Sequence, residues 1–137
     1  MATIELTRSK IHSFTELPLG WHYGEGVPAE QKTVDAALAI LRQAAAAGFS
    51  KADAFPGIEG EVRVTLYEQA YYYEFTVERN ASVTVVCEHQ RQEVLALEDL
   101  SLEEALQKLE EFGVGIWDCS ELFTPAISIP AVATSKV

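Results

Sequence analysis

The chain has 137 residues, 48% of them hydrophobic and 23% charged, with a formal net charge of −11. That length suits one domain with a genuine core, and that composition is ordinary for a globular protein. The acid surplus repels phosphate and argues against direct nucleic-acid binding, and no apolar run approaches bilayer-spanning length.

The N-terminal Met-Ala-Thr-Ile-Glu-Leu-Thr-Arg lacks a signal-peptide core, so a cytoplasmic location without membrane contact is expected. Over residues 2–17, Ile4, Leu6 and Ile11 suggest a short strand interrupted by Arg8, Ser9 and Lys10. Residues 18–28 hold three glycines and two prolines, which makes a regular element improbable there. Trp21 is expected to point inward, because a buried tryptophan removes much apolar area from water. His22, Tyr23 and Glu25 would then face solvent. A helix follows, with Pro28 suited to its first turn and Val34, Ala37, Leu38 and Leu41 as its apolar stripe. Gly48 is placed to cap its C-terminus. Residues 49–60 read as a loop around Pro56-Gly57, with Phe49 and Phe55 anchoring its ends against the core.

From Glu61 to Glu88 the period becomes two. Val62, Val64 and Leu66, then Tyr71, Tyr73, Phe75 and Val77, then Val83, Val85 and Cys87, alternate with polar neighbours. The breaks at Glu68-Gln69 and Arg79-Asn80 fit tight hairpins, with Asn80 suited to a left-handed conformation. Val94 to Leu97 suggest a fourth strand. Ser101 with Glu104 three residues on is a capping box, and Leu102, Ala105, Leu106, Leu109 and Phe112 form the stripe of a second helix. Gly113 and Gly115 are expected to end that helix, with Val114, Ile116 and Trp117 adding a short strand and an extended or frayed tail from Thr124. Residues 1–137 thus form one α+β domain: an antiparallel meander of four or five strands with two helices packed on one face.

No catalytic constellation stands out. Cys87 and Cys119 are too few for a disulfide framework, and His12, His22 and His89 have no metal-ligand spacing, so neither a metal nor a cofactor is expected. No nucleophile elbow or phosphate-binding glycine loop is present. Two clusters mix aromatic and polar residues in what reads as irregular backbone: Trp21, His22, Tyr23 and Glu25, and Trp117, Asp118, Cys119, Ser120 and Glu121. From these, His22, Tyr23, Glu25, Asp118, Cys119 and Glu121 are the candidate binding residues.

Three runs carry a resemblance. Trp21-His22-Tyr23-Gly24-Glu25-Gly26-Val27-Pro28, Asp53-Ala54-Phe55-Pro56-Gly57 with Gly60-Glu61-Val62, and Ser120-Glu121 resemble a family of small uncharacterised bacterial proteins. The resemblance spans Gly20 to Glu121 and implies an order of elements (aromatic turn, helix, second turn, meander) without implying an activity.

The acid is unevenly spread: residues 58–121 hold 15 acidic and 4 basic side chains, and residues 1–57 hold 6 and 5. With no catalytic set in view, these features favour a non-enzymatic interaction or accessory module with a protein partner and an acidic surface. One alternative is a hydrolase-like enzyme whose site lies between the Trp21–Pro28 loop and the Trp117–Glu121 segment. Another is an acidic mimic of nucleic acid.

Overall fold

The computed structural model describes residues 2–122, and side chains as far as residue 113. Strands β1 (Ala2–Thr3), β2 (Lys51–Pro56), β3 (Val62–Glu68), β4 (Tyr71–Val77), β5 (Val83–His89) and β6 (Gln92–Leu100) form one sheet. Their order in the sheet is their order in the chain, and every pairing is antiparallel. Helices α1 (Ile4–His12), α2 (Gln31–Ala46) and α3 (Leu102–Leu122), with a 3-10 turn at Ser13–Glu16, complete the fold. The α+β meander is thus as the sequence predicts, with six strands in place of four or five and three helices in place of two.

The core follows from the pleat. Ala54, Val64, Phe75, Val85 and Leu97 lie across the sheet in register, as do Ala52, Leu66, Tyr73, Cys87 and Leu95. Those of β2 to β5 are buried, and Val64, Phe75 and Val85 are wholly so. The helices cover this face in chain order: α1 over β2, α2 over β3 and β4, α3 over β5 and β6. Val34, Ala37, Ile40, Leu41 and Ala44 of α2, and Ala105 and Leu109 of α3, complete the interior. Lys51, Asp53, Arg63, Thr65, Tyr67, Tyr72, Glu74, Val86 and Glu88 alternate onto the other face, which no described helix covers.

The N-terminal strand expected from Ile4 and Leu6 is instead a helix. Thr3 caps it by accepting the Leu6 N–H at 3.2 Å, with Glu5 in the first turn and Lys10 in the last. Its buried stripe includes Thr7, whose hydroxyl lies 2.8 Å from the Thr3 carbonyl and 3.1 Å from that of Ala52. The segment expected as a loop before the meander is β2. Its inward residues are Ala52 and Ala54, too small to announce a strand yet wholly buried. Phe49 anchors in the core as expected, whereas Phe55 is 38% exposed on the open side of the sheet, under the Lys10 ammonium at 4.5 Å. Lys10 also donates to Asp53 at 2.9 Å. Burial pushes the Asp53 carboxyl up, but that bond, with one from the Ala54 N–H, outweighs it and holds the group below its usual range.

Pro28 lies before α2, whose N-cap is Glu30, while Gly48 closes the helix with φ +107° as expected. In the β4–β5 turn it is Ala81, at φ 77°, that takes the left-handed conformation, and Asn80 accepts the Ser82 N–H at 3.0 Å. The capping box forms as expected: Ser101 Oγ accepts the Glu104 N–H at 3.1 Å, and the Glu104 carboxylate accepts the Ser101 N–H at 2.8 Å. Gly113 and Gly115 do not end α3. Gly113 is buried against α2, where an added Cβ would lie 2.5 Å from the Ala47 Cβ and 3.0 Å from its carbonyl oxygen. It is a contact glycine rather than a terminator, and the strand expected from Val114, Ile116 and Trp117 is helical backbone. The tail from Thr124 lies outside the described residues.

Glycine inside a helix costs about 1 kcal/mol relative to alanine, so Gly113→Ala would ordinarily stabilise. Here the clash with the Ala47 Cβ and carbonyl oxygen should reverse the sign, and a loss of about 1–3 kcal/mol is expected in chemical denaturation. A gain in stability would mean that α2 and α3 do not approach this closely.

Candidate functional site

The Trp21–Pro28 segment is a small, closed turn. His22 and Glu25 form an antiparallel bridge, with the His22 N–H donating to the Glu25 carbonyl at 2.7 Å and the Glu25 N–H returning at 2.9 Å. The two residues between them, Tyr23 and Gly24, have φ of 53° and 90°, the signature of a type I′ turn. A second rung, Gly20 N–H to the Gly26 carbonyl at 2.8 Å, lies below the bridge. The base is tied to the body by the Val27 N–H, which donates to the Ile58 carbonyl at 3.0 Å, and by the Ala29 N–H, which donates to Phe14 at 3.1 Å.

Trp21 anchors this turn, though not by entering the core. It is half-buried, donates its indole N–H to the Val27 carbonyl at 3.1 Å and lies over Gly26. A Cβ at Gly26 would sit 2.6 Å from the indole nitrogen, so only glycine leaves room for the ring. The His22 ring packs edge-on between Trp21 at 5.4 Å and Tyr23 at 4.8 Å. His22, Tyr23 and Glu25 are exposed as expected, Tyr23 to 95%. The other candidates, Asp118, Cys119 and Glu121, fall on the last turns of α3, not in irregular backbone, and their side chains lie outside the described residues.

The sequence did not point to the concave surface at the foot of this turn. In a meander, alternate connections gather at one end of the sheet. The β2–β3 turn, the β4–β5 turn and the end of β6 therefore meet there. A cleft of about 560 Å³ is lined by Glu59, Glu78, Arg79, Asn80, Ser82, Thr84, Glu98 and Asp99. A smaller one of about 240 Å³, lined by Val27, Ile58, Glu59, Glu61, Glu78 and Arg79, joins it to the turn. Neither is lined by His22, Tyr23 or Glu25. Arg79 is drawn toward the start of α2 by Glu30 at 3.3 Å. Burial, with Glu61, Glu59 and Asp99 nearby, raises the Glu78 carboxyl above its ordinary range. Among the described residues no three His, Cys, Asp or Glu side chains are grouped to hold a metal. No described helix is long and apolar enough to cross a membrane. The one signal for the cleft in the sequence was acid placed repeatedly at strand ends: Glu59, Glu61, Glu78, Glu98 and Asp99.

Gly26→Ala should cost about 1–3 kcal/mol, because it both clashes with Trp21 and forces a side chain onto φ +107°. His22→Ala and Glu25→Ala should each change stability by less than about 0.5 kcal/mol, as exposed sites do. Thermal melts of the three variants check this. Comparable losses in all three would make the turn core scaffolding.

Glu78 is a separate test. Its raised pKa means that the fold binds its proton more tightly than the unfolded chain does. Its contribution is therefore fully present at low pH and is lost as pH rises through the folded-state pKa. Glu78→Gln should raise Tm at neutral pH. The gain should shrink as pH falls toward the point where the wild-type carboxyl is protonated anyway, and shrink with added salt. A Tm lowered at neutral pH would show that the ionised carboxylate is instead stabilising.

No protein-family model, no curated protein and no solved structure matches the chain.

Proposed function

We propose that the protein is a non-enzymatic interaction module that presents the Trp21–Pro28 turn to a protein partner. One observation carries this reading: Tyr23 is 95% exposed at the tip of a turn held by two backbone rungs, the Trp21 indole and a tie to Ile58. A large aromatic side chain on a rigid turn presents contact area at little entropic cost, as binding loops do. Tyr23 also sits at φ 53°, a conformation that costs an ordinary residue on the order of 1 kcal/mol and that asparagine tolerates better. Stability alone would not favour tyrosine there. His22 holds the ring from below, and Glu25 adds a charge at the rim.

The adjoining acidic cleft gives the partner a preferred sign. A surface lined by Glu59, Glu61, Glu78, Glu98 and Asp99 beside the turn favours a partner whose contact carries lysine or arginine near an apolar socket for Tyr23. The kinship with small bacterial proteins belongs to the same proposal.

A photo-crosslinking residue in place of Tyr23, in cells that make the protein, should trap one discrete protein, whereas the same reporter at exposed Glu103 should not. Tyr23→Asn should leave the thermal melt unchanged or raised by up to about 1 kcal/mol equivalent, while weakening binding of the trapped partner by tenfold or more. No crosslink from position 23, or a Tyr23→Asn variant that binds its partner undiminished, would sink the reading.

A further inference from the structure

The open face of the sheet is not the plain polar face that a solvated antiparallel sheet presents. One row across it is ordered by charge. Lys51, Tyr67, Tyr72, Glu88 and Glu93 are paired in register from β2 to β6, so a cation stands at one end, two tyrosines in the middle and two carboxylates at the other. The tyrosine rings lie 5.6 Å apart. Their hydroxyls are already satisfied: Tyr72 donates to Glu74 at 3.0 Å, and Tyr67 accepts from Thr65 at 3.1 Å. Glu74 is further paired with Arg63 at 3.4 Å. The middle of the face is therefore internally paired, and its two phenol rings offer contact area at the centre of the row. The charges at the ends differ. Neither Lys51 nor Glu88 has an ion-pair partner among the described residues.

We propose that this face is where a second copy of the chain docks, sheet on sheet, about a two-fold axis parallel to the strands. That axis lays β2 of one copy over β5 of the other. The row then meets itself reversed, Lys51 opposite Glu88 at both ends and the tyrosines together at the centre. The other in-plane axis, across the strands, would set β2 on β2 and Lys51 on Lys51, which the charges oppose. Twisted sheets stacked this way sit at the usual angle near −30°. The four long strands that overlap, β2 to β5, span roughly 19 Å by 24 Å, so two facing copies bury on the order of 900 Å², the size of a weak, reversible interface. The proposal is independent of the Tyr23 turn, which lies outside the sheet.

Sedimentation equilibrium on the full chain tests it, with circular dichroism confirming that each variant is folded. The wild type should give twice its 15.1 kDa mass at micromolar to millimolar concentration. Lys51→Glu and Glu88→Lys should each weaken the dimer by tenfold or more, since each breaks both symmetry-related pairs. The double swap, Lys51→Glu with Glu88→Lys, should restore association to near the wild-type value, and Tyr23→Asn should leave it unchanged. The two single changes alter net charge in opposite directions, so a general charge effect cannot weaken both. A wild type that stays monomeric at millimolar concentration overturns the proposal. So does a dimer indifferent to the single swaps, or a double swap no better than either one.

Discussion

The constraint on which everything else depends is that the meander is apolar on one side only. Val62, Val64, Leu66, Tyr73, Phe75, Val77, Val83, Val85 and Cys87 all leave the pleat in one direction and are buried. A sheet of this kind cannot stand alone in water and must be covered along its whole width. Three helices do this side by side, and their neighbours set how close they come. Ala52 and Ala54 under α1, and Gly113 against Ala47 between α2 and α3, are small where two backbones approach. Phe112, in contact with the rings of Tyr73 and Phe75 at centroid separations of 4.6 and 6.3 Å, fills the wider gap below α3.

What was legible in the sequence was what repeats. Period two from Val62 to Cys87 and the Ser101–Glu104 box gave the middle and late parts of the fold directly. The elements that escaped did so because their buried residues are small or polar. The stripe of α1 runs through Thr7, which is wholly buried because backbone carbonyls accept its hydroxyl. The inward side of β2 is alanine. Gly113 carried a stop signal in its residue type and a contact role in its surroundings. The aromatic turn was legible because glycines at 24 and 26 demand backbone that only a turn supplies. That Trp21 would pack on its own turn rather than in the core depends on one hydrogen bond to Val27, which no pattern of residue types reveals.

The acidic cleft illustrates how topology concentrates charge. Glu59, Glu78 and Asp99 are each unremarkable at a strand end, and the chain separates them by about 20 residues at a time. A meander returns to the same end of the sheet at every second connection, so charges at that spacing converge whatever their neighbours do. The crowding is borne locally, by Glu78, whose carboxyl is pushed up by burial and then by the neighbouring carboxylates, and by Arg79, which divides its charge between the cleft and Glu30.

Strand order equal to chain order also has a kinetic side. From β2 to β6 each strand finds its partner across a short turn, so those contacts close small loops and assemble quickly. The exception is at the beginning. Thr7 meets Ala52 across 45 residues, and β1 pairs with β2 over a similar span. During synthesis the first helix must therefore wait, with only α2 to pack on, until the strand that completes its contacts has been made. Helix α1 and β1 thus make the longest closures in the sheet, although they are synthesised before the strand they pack on.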